Sequence, residues 1–398
     1  MSTQAARSIL FTHTSPQQGF KLLELPPELA EALSSNEPPT IEFKSPAPSH
    51  DTAASDAEES SRDFVNLCTP THTYQVRQVQ SSNSIHIIRP SNDDSGVQRG
   101  DINIVVAGEQ DDSLNLFETM TAIAKCASTL EVHVPPGGFS AVPFLERMLR
   151  VYDDENEMGI GETPGYDSQQ RVIRHVFRDV PVSMALCERG WVEICAFALR
   201  AGGEGAGECR RPSVRARLQV WKRVVEGAVL QGIDLGSQFL VSDLWRAVLD
   251  EDGEEPFPRP LFEAVLRRVC EGEASGLGRL FGEFEMKWAS IDKDGCVRWV
   301  GETYLEAMAP SSAAALGRSE YLNAWKDHLP ESWRGDVALS KLPGSSYKYP
   351  DPTTICFVNE VDRQKLKKNV STDASAATAA KKTRNWHELF KNQKRQKR

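Results

Sequence analysis

The sequence predicts an α+β multidomain chain, with a small β-barrel-like domain at the N-terminus followed by repeated units of helices closed by a hairpin. Three observations carry this. Residues 64 to 88 alternate apolar and polar side chains in two runs, Tyr74, Val76, Val79 and then Ile85, Ile87, Ile88. Thr69-Pro70 and Ser81-Ser82-Asn83-Ser84 stand before those runs as turn formers. From Gly137 onward the apolar period changes to helical spacing, and helical runs ending in short paired strands then recur.

Length and composition bound the answer. With 398 residues there is room for two to four domains with their own cores. No run of about 18 apolar residues is present, so no transmembrane helix and no membrane partner are expected. The start MSTQAARSILF lacks a charged region followed by an apolar one, so no signal peptide is expected either. The eight cysteines form no C-x-x-C pair and most sit inside apolar patterns. They read as reduced, buried thiols of a cytosolic or nuclear protein, with no zinc spacing among them. Charge is unevenly spread. Residues 363 to 398 hold twelve Lys or Arg against two acidic residues, a local net of +10, so with the whole chain at −10 residues 1 to 362 carry −20. An acidic body with a basic tail excludes a general DNA-coating protein. It leaves the tail to nucleic acid, an acidic partner or a nuclear import receptor.

In order, Ser8 to Phe11 and Phe20 to Leu25 read as strands. Pro26-Pro27 then starts a short helix with Leu29 and Leu33 four residues apart. Thr40 to Lys44 is a short strand, and 45 to 63 a disordered loop of Pro, Ser, Ala, Asp and Glu. After the alternating stretch come a strand at Asp101 to Val106, a short helix near 113 to 125, and a strand at Leu130 to Val134. The β-rich domain ends near Pro135-Pro136. Phe144, Leu145, Met148, Leu149 and Tyr152 have helical spacing, as do residues 172 to 177. Pro181 to Cys187 and Trp191 to Ile194 read as a hairpin turning at Glu188-Arg189-Gly190. Helices followed by a hairpin are the outline of a winged helix. After the Gly-rich linker 201 to 208, helices at 213 to 231, 239 to 249 and 260 to 270 lead to a second hairpin over Ile291 to Val300, turning at Asp294-Gly295. A third, shorter copy starts at Arg318 and closes with Thr354 to Val358. The expected division is 1–135 for the β domain, 137–200, 201–309 and 318–362 for the winged helices, and 363–398 for the tail. In that tail, Trp386, Leu389 and Phe390 share one face if helical.

Chemistry-bearing motifs are absent. Gly159-x-Gly161 and Gly202-Gly203-x-Gly205-x-Gly207 read as flexible linkers, since neither follows a convincing strand and no G-K-[ST] is present. Asp292-x-Asp294-Gly295 resembles a calcium loop, but its twelfth position would be Gly301, where a bidentate carboxylate is required. The eight histidines are scattered, and acidic pairs such as Asp153-Asp154 sit in polar breaks. No catalytic residue, cofactor or metal is therefore expected, and the chain is not expected to be an enzyme. Arg210, Arg211, Arg215, Arg217, Lys222 and Arg223 cluster around one helix start. They read either as phosphate contacts or as a solvated helix face matched to acidic surroundings.

With these residues laid out, the chain resembles the sister chromatid cohesion protein Dcc family, small subunits of the cohesion-type alternative replication factor C clamp loader. The resemblance rests on Phe20-Lys21-Leu22-Leu23-Glu24-Leu25-Pro26, on Leu67-Cys68-Thr69 followed by Thr73-Tyr74, and on Ser82-Asn83-Ser84 leading into Ile85-His86-Ile87-Ile88. Asp179-Val180-Pro181-Val182 before Trp191, and Ala324-Trp325 before Leu329-Pro330-Glu331, resemble its later landmarks. The resemblance implies a non-catalytic connector. Its β region would share a barrel-like module with the small partner subunit and the tail of the large subunit. Its winged helices would link to DNA polymerase epsilon and to DNA, weakly and without sequence specificity alone, and would reach the sliding clamp only indirectly. Leu22, Leu23, Tyr74, Val76, Ile85 and Ile87 are the expected core or interface residues. Arg210, Arg211, Arg215, Lys381, Lys382, Lys394, Arg395, Lys397 and Arg398 are the expected nucleic-acid contacts or nuclear localisation signal, and the nucleus is the expected compartment. Longer family members continue past a motif similar to Trp386-His387-Glu388-Leu389-Phe390 into a further winged helix. Two other readings compete: the non-catalytic B subunit of ribonuclease H2, and a winged-helix DNA-binding regulator, against which the acidic body weighs.

Overall fold

A computed structural model describes residues 9–13, 19–45, 65–90, 115–153, 166–199, 207–250, 252–270 and 286–359. They fall into two compact units, one of residues 1–140 with 179–186 and one of 141–178 with 187–398. Loop residues 46–63, the strand expected at Asp101 to Val106 and the basic tail lie outside the described residues.

The first unit is a six-stranded sheet. Its strands are β1 (Ile9–His13), β2 (Leu22–Glu24), β3 (Glu42–Lys44), β4 (Val65–Cys68), β5 (Thr73–Pro90) and β6 (Asn115–His133), ordered β1-β6-β5-β4-β3 with β2 also beside β6. Both β1 and β2 run parallel to β6; the β3-β4-β5-β6 steps are antiparallel. One helix, α1 (Pro27–Leu33), packs on it, opened by Pro27, whose missing N–H costs nothing in a first turn. Fully buried Leu29 of α1 meets Leu67, Tyr74 and Val132, with Leu23, Leu25, Leu33, Ile41 and Val76 around them. The register explains this cluster: Leu67 faces Tyr74 across β4–β5, and Val76 faces Val132 across β5–β6.

Two expectations are corrected here. The described strands form an open sheet and no closed barrel: β5 and β6, at 18 and 19 residues, outrun neighbours of five residues or fewer. The helix expected near 113 to 125 is part of β6. Ala122, Ala124 and Cys126 are buried at a spacing of two, so these alanines serve an extended strand despite their helix propensity.

The second unit passes three times through one order of elements. The first pass is α2 (Val142–Met148), β7 (Arg150–Tyr152), α3 (Tyr166–Asp179), α4 (Met184–Glu193), β8 (Phe197–Leu199) and β9 (Glu208–Pro212). The second is α5 (Val214–Gln231), β10 (Phe239–Leu240), α6 (Val241–Val248), α7 (Arg259–Val269), a bridge residue Cys270, and β11 (Trp288–Ala289). The third is α8 (Lys293–Met308), β12 (Leu316–Gly317), α9 (Arg318–Asp327), 3-10 turns at Glu331–Asp336 and Leu339–Lys341, β13 (Tyr347–Lys348) and β14 (Thr354–Phe357). In each pass the last strand is central: sheets run β7-β9-β8 and β12-β14-β13, and β11 pairs with β10 while Ile291 bridges Cys270.

Both predicted hairpins in this half are helical. Residues 184 to 193 form α4, with Cys187, Glu188, Gly190 and Trp191 buried on one face. Gly190 makes no turn; a Cβ there would lie 2.9 Å from the Cβ of Ala141. Asp294-Gly295 likewise opens α8, where the Asp292 side chain caps the helix by accepting from Gly295 N–H at 3.1 Å. By contrast α5 begins and ends on its sequence signals, with Ser213 accepting from Ala216 N–H and Gly232 in the left-handed region at φ 66°.

One core extends through the second unit from Tyr152 to Cys356. Trp221 meets Trp299 edge-on with centroids 6.2 Å apart, and its indole N–H donates to His328 O at 2.9 Å. Trp325 packs over Gly301, where any Cβ would lie 2.4 Å from the ring. Its N–H donates to Val297 O at 2.8 Å, and Tyr321 donates to Gly301 O at 3.0 Å. Large aromatics give this core its mass; Trp221, Trp325 and Tyr321 have bonded polar ends, whereas the buried Trp299 indole N–H has no partner among the described residues.

Candidate partner interface

The β4–β5 hairpin starts the site. Thr69 N–H donates to His72 O, and His72 N–H donates to Thr69 Oγ1, both at 2.9 Å, so the Thr69 hydroxyl and Pro70 set a tight four-residue loop. One face of this hairpin is the α1 core. The other face holds Lys44, Asn66, Cys68 and Thr73, paired in register, and it receives the returning segment of residues 180 to 185. Asn66 Nδ2 donates to Pro181 O at 2.7 Å, Lys44 Nζ to Val182 O at 3.2 Å, Ser183 N–H to Thr73 Oγ1 at 2.7 Å, and Ala185 N–H to Pro70 O at 3.1 Å. Val180, Val182 and Ser183 are fully buried. This clasp explains why Leu67-Cys68-Thr69, Thr73-Tyr74 and Asp179-Val180-Pro181-Val182 stand out in the chain: residues about 110 positions apart form one hydrogen-bonded unit. Burial pushes the Cys68 thiol and the Tyr74 phenol upward from their usual pKa values.

Beyond the clasp the ribbon is one-sided. The pairing of β4 covers β5 only from Thr73 to Val76. From Arg77 to Pro90 no described strand pairs with the outer edge of β5, whereas the far edge of β6 carries β1 and β2. Ile85 faces Cys126, Ile87 faces Ala124, and a bulge between Ile87 and Ile88 brings Ile88 opposite Ala122. The extra residue of this bulge, Ile123, lies in β6, so on β5 Ile85 and Ile87 share one face and Ile88 takes the other. Ala122, Ala124 and Cys126 are buried, yet Ile85 is 44% exposed and Ile88 45%. The result is exposed isoleucines on both faces beside an edge that no described strand pairs. Ile85 and Ile87 are named from the sequence as interface residues, and Ile88, as exposed as Ile85, is left out although it stands in the same apolar run.

Of the other expected site residues, Leu23, Tyr74 and Val76 lie in the α1 cluster, and Leu22 is half-buried opposite Thr129. Arg210 pairs with Glu208 at 2.9 Å and Arg211 donates to Glu146 O at 3.2 Å. Arg217 pairs with Glu306 at 3.3 Å, Lys222 with Glu226 at 3.7 Å, and Arg223 with Asp250. Arg215 is exposed and has no acidic partner among the described residues. Lys381, Lys382, Lys394, Arg395, Lys397 and Arg398 lie outside the described residues. Among the described residues no group of three His, Cys, Asp or Glu could hold a metal ion, and the cysteines form no disulfide. Burial pushes Cys209 up to about 12, far from a reactive thiolate. No described helix is long and apolar enough to cross a membrane.

Among the described residues the sheet is open, with exposed isoleucines near an edge that no described strand pairs. The family model of the sister chromatid cohesion protein Dcc1 matches residues 20–372, and the chain belongs to that family. Membership implies a role in sister chromatid cohesion within the alternative clamp loader, of which the family is a non-catalytic subunit. Among curated proteins none matches the sequence.

Proposed function

We propose that this chain is the connector subunit of the nuclear alternative clamp loader. Its N-terminal sheet is completed by strands from the small partner subunit and from the tail of the large subunit. The carrying observation is that no described strand pairs with the outer edge of β5 between Arg77 and Pro90, where Ile85 and Ile88 are exposed. Strand addition there supplies backbone partners to that edge and lays side chains beside both exposed isoleucines in one step.

We also infer that the three passes of the second unit are winged helices, with spans near 142–212, 214–291 and 293–357. The shared order of elements and the central last strand support that reading. They would serve the link to DNA polymerase epsilon and DNA. With most of the basic cluster engaged by acidic partners, DNA binding by the isolated chain would be weak and independent of sequence. Co-purification of the full chain from nuclear extract tests the assignment. Recovery of the clamp loader's large and small subunits is expected; recovery of ribonuclease H2 subunits in their place contradicts it.

A further inference from the structure

A second apolar surface lies in the second unit, at the C-terminal end of α5. Val229 is 72% exposed and Leu230 81%, the two most exposed large apolar side chains among the described residues. Adjacent exposed aliphatics on a helix end gain nothing for the free fold. Beside them is a cavity of about 80 Å³, walled by Val225, Ala228, Val229, Ile233, Pro330 and Trp333. That is far below the roughly 300–1,000 Å³ of small-molecule sites, and it suits one inserted side chain. Trp333 is 3% exposed, and its indole nitrogen lies by the cavity wall. A Cβ on Gly236, in the cavity wall, would lie 3.8 Å from that nitrogen.

The rim is electronegative. Asp234 lines the cavity and is held by Ser237 Oγ at 2.6 Å and Gly236 N–H at 2.9 Å, bonds that keep its carboxyl below the usual range. No described cation pairs with it. Glu331 is exposed between the lining residues Pro330 and Ser332. The C-terminal end of the 18-residue α5, with no basic residue in its last turn, adds its partial negative charge. An apolar slot with a fixed carboxylate and a helix C-terminus at its mouth complements a cation carried beside an aliphatic side chain.

We propose that this surface docks a short segment of a partner protein that inserts one Leu-like side chain and places a neighbouring Lys or Arg against Asp234. The test uses the full chain and fluorescein-labelled peptides with one Leu flanked by Lys, against matched peptides with Glu for Lys or Ser for Leu. The Lys-Leu-Lys peptide is expected to bind at least about tenfold more tightly than the Ser peptide, on the scale of burying one Leu side chain. The exposed double substitution Val229→Asp with Leu230→Asp should remove binding without changing the melting temperature. Asp234→Asn, which retains a turn acceptor, should weaken the Lys peptide about threefold and leave an uncharged Leu peptide unaffected. Equal binding of Leu and Ser peptides, or unchanged binding by the double variant, overturns the proposal. So does a dimer that the double variant dissociates, which would make the surface a self-interface, or duplex DNA binding that it abolishes.

Discussion

The two units solve the burial problem in opposite ways. In the second, three passes pool their apolar residues into one core, from Tyr152 to Cys356, anchored by Trp221, Trp299, Trp325 and Tyr321. In the first, six strands are served by one seven-residue helix, and the cluster beneath it rests on Leu29, Leu67, Tyr74 and Val132. The isoleucines that would enlarge that cluster sit on an extended ribbon with their faces partly in water. A unit with a small core and an apolar open edge is finished by another chain, whereas a unit with a pooled core stands alone. Under the proposed function, partner addition falls to the sheet and self-sufficient folding to the helical passes.

Breaking the pooled core gives the largest effect. Trp325→Ala removes a fully buried ring and its bond to Val297 O, and should cost about 3–5 kcal/mol in thermal or denaturant unfolding. A loss under about 1 kcal/mol would show that this core is not the main anchor. Gly227→Leu comes next. Even a Cβ at position 227 would lie 2.5 Å from the backbone oxygen of Ala247, so α5 and α6 must separate, at a cost of about 1–3 kcal/mol. A variant as stable as the parent would contradict that close approach.

The clasp is the smaller term. Asn66→Ala leaves Pro181 O without its donor but also removes the Asn66 Oδ1, which has no partner of its own. A net loss of about 1 kcal/mol is expected. Amide exchange should quicken in β4 and around residues 180–183 while α5 and α8 keep their protection. Uniform loss of protection in both units would blur the distinction drawn between them.

What could be read in advance follows physical lines. α5 was legible because Ser213 and Gly232 punctuate it, and the start of β5 because Tyr74, Val76 and Val79 alternate after Thr69-Pro70; Ser81 to Ser84, expected as a turn, instead lie within the 18-residue β5. α4 and the start of α8 were not. Gly190 and Gly295 look like turn residues, yet one is small to let α2 approach and the other completes an N-cap. β6 hid behind alanines. The parallel pairing of β1 and β2 with β6, the clasp between residues 66–73 and 180–185, and the bulge at Ile123 of β6 all depend on contacts distant in sequence. The recurrence of helices and short strands was visible; the order of elements within each pass needed the sheets.

Ile85→Asp with Ile88→Asp tests the contrast most directly, because both side chains are already half in water. In the free chain the melting temperature should move by no more than about 2 °C, the effect of a surface change in a chain of this size. Co-expressed with the small and large subunits of the clamp loader, the double variant should lose at least about tenfold of the co-purified partners, since two charges would face the added strand. Wild-type recovery of both partners by a normally folded double variant would contradict the assignment of the open β5 edge as the joining surface.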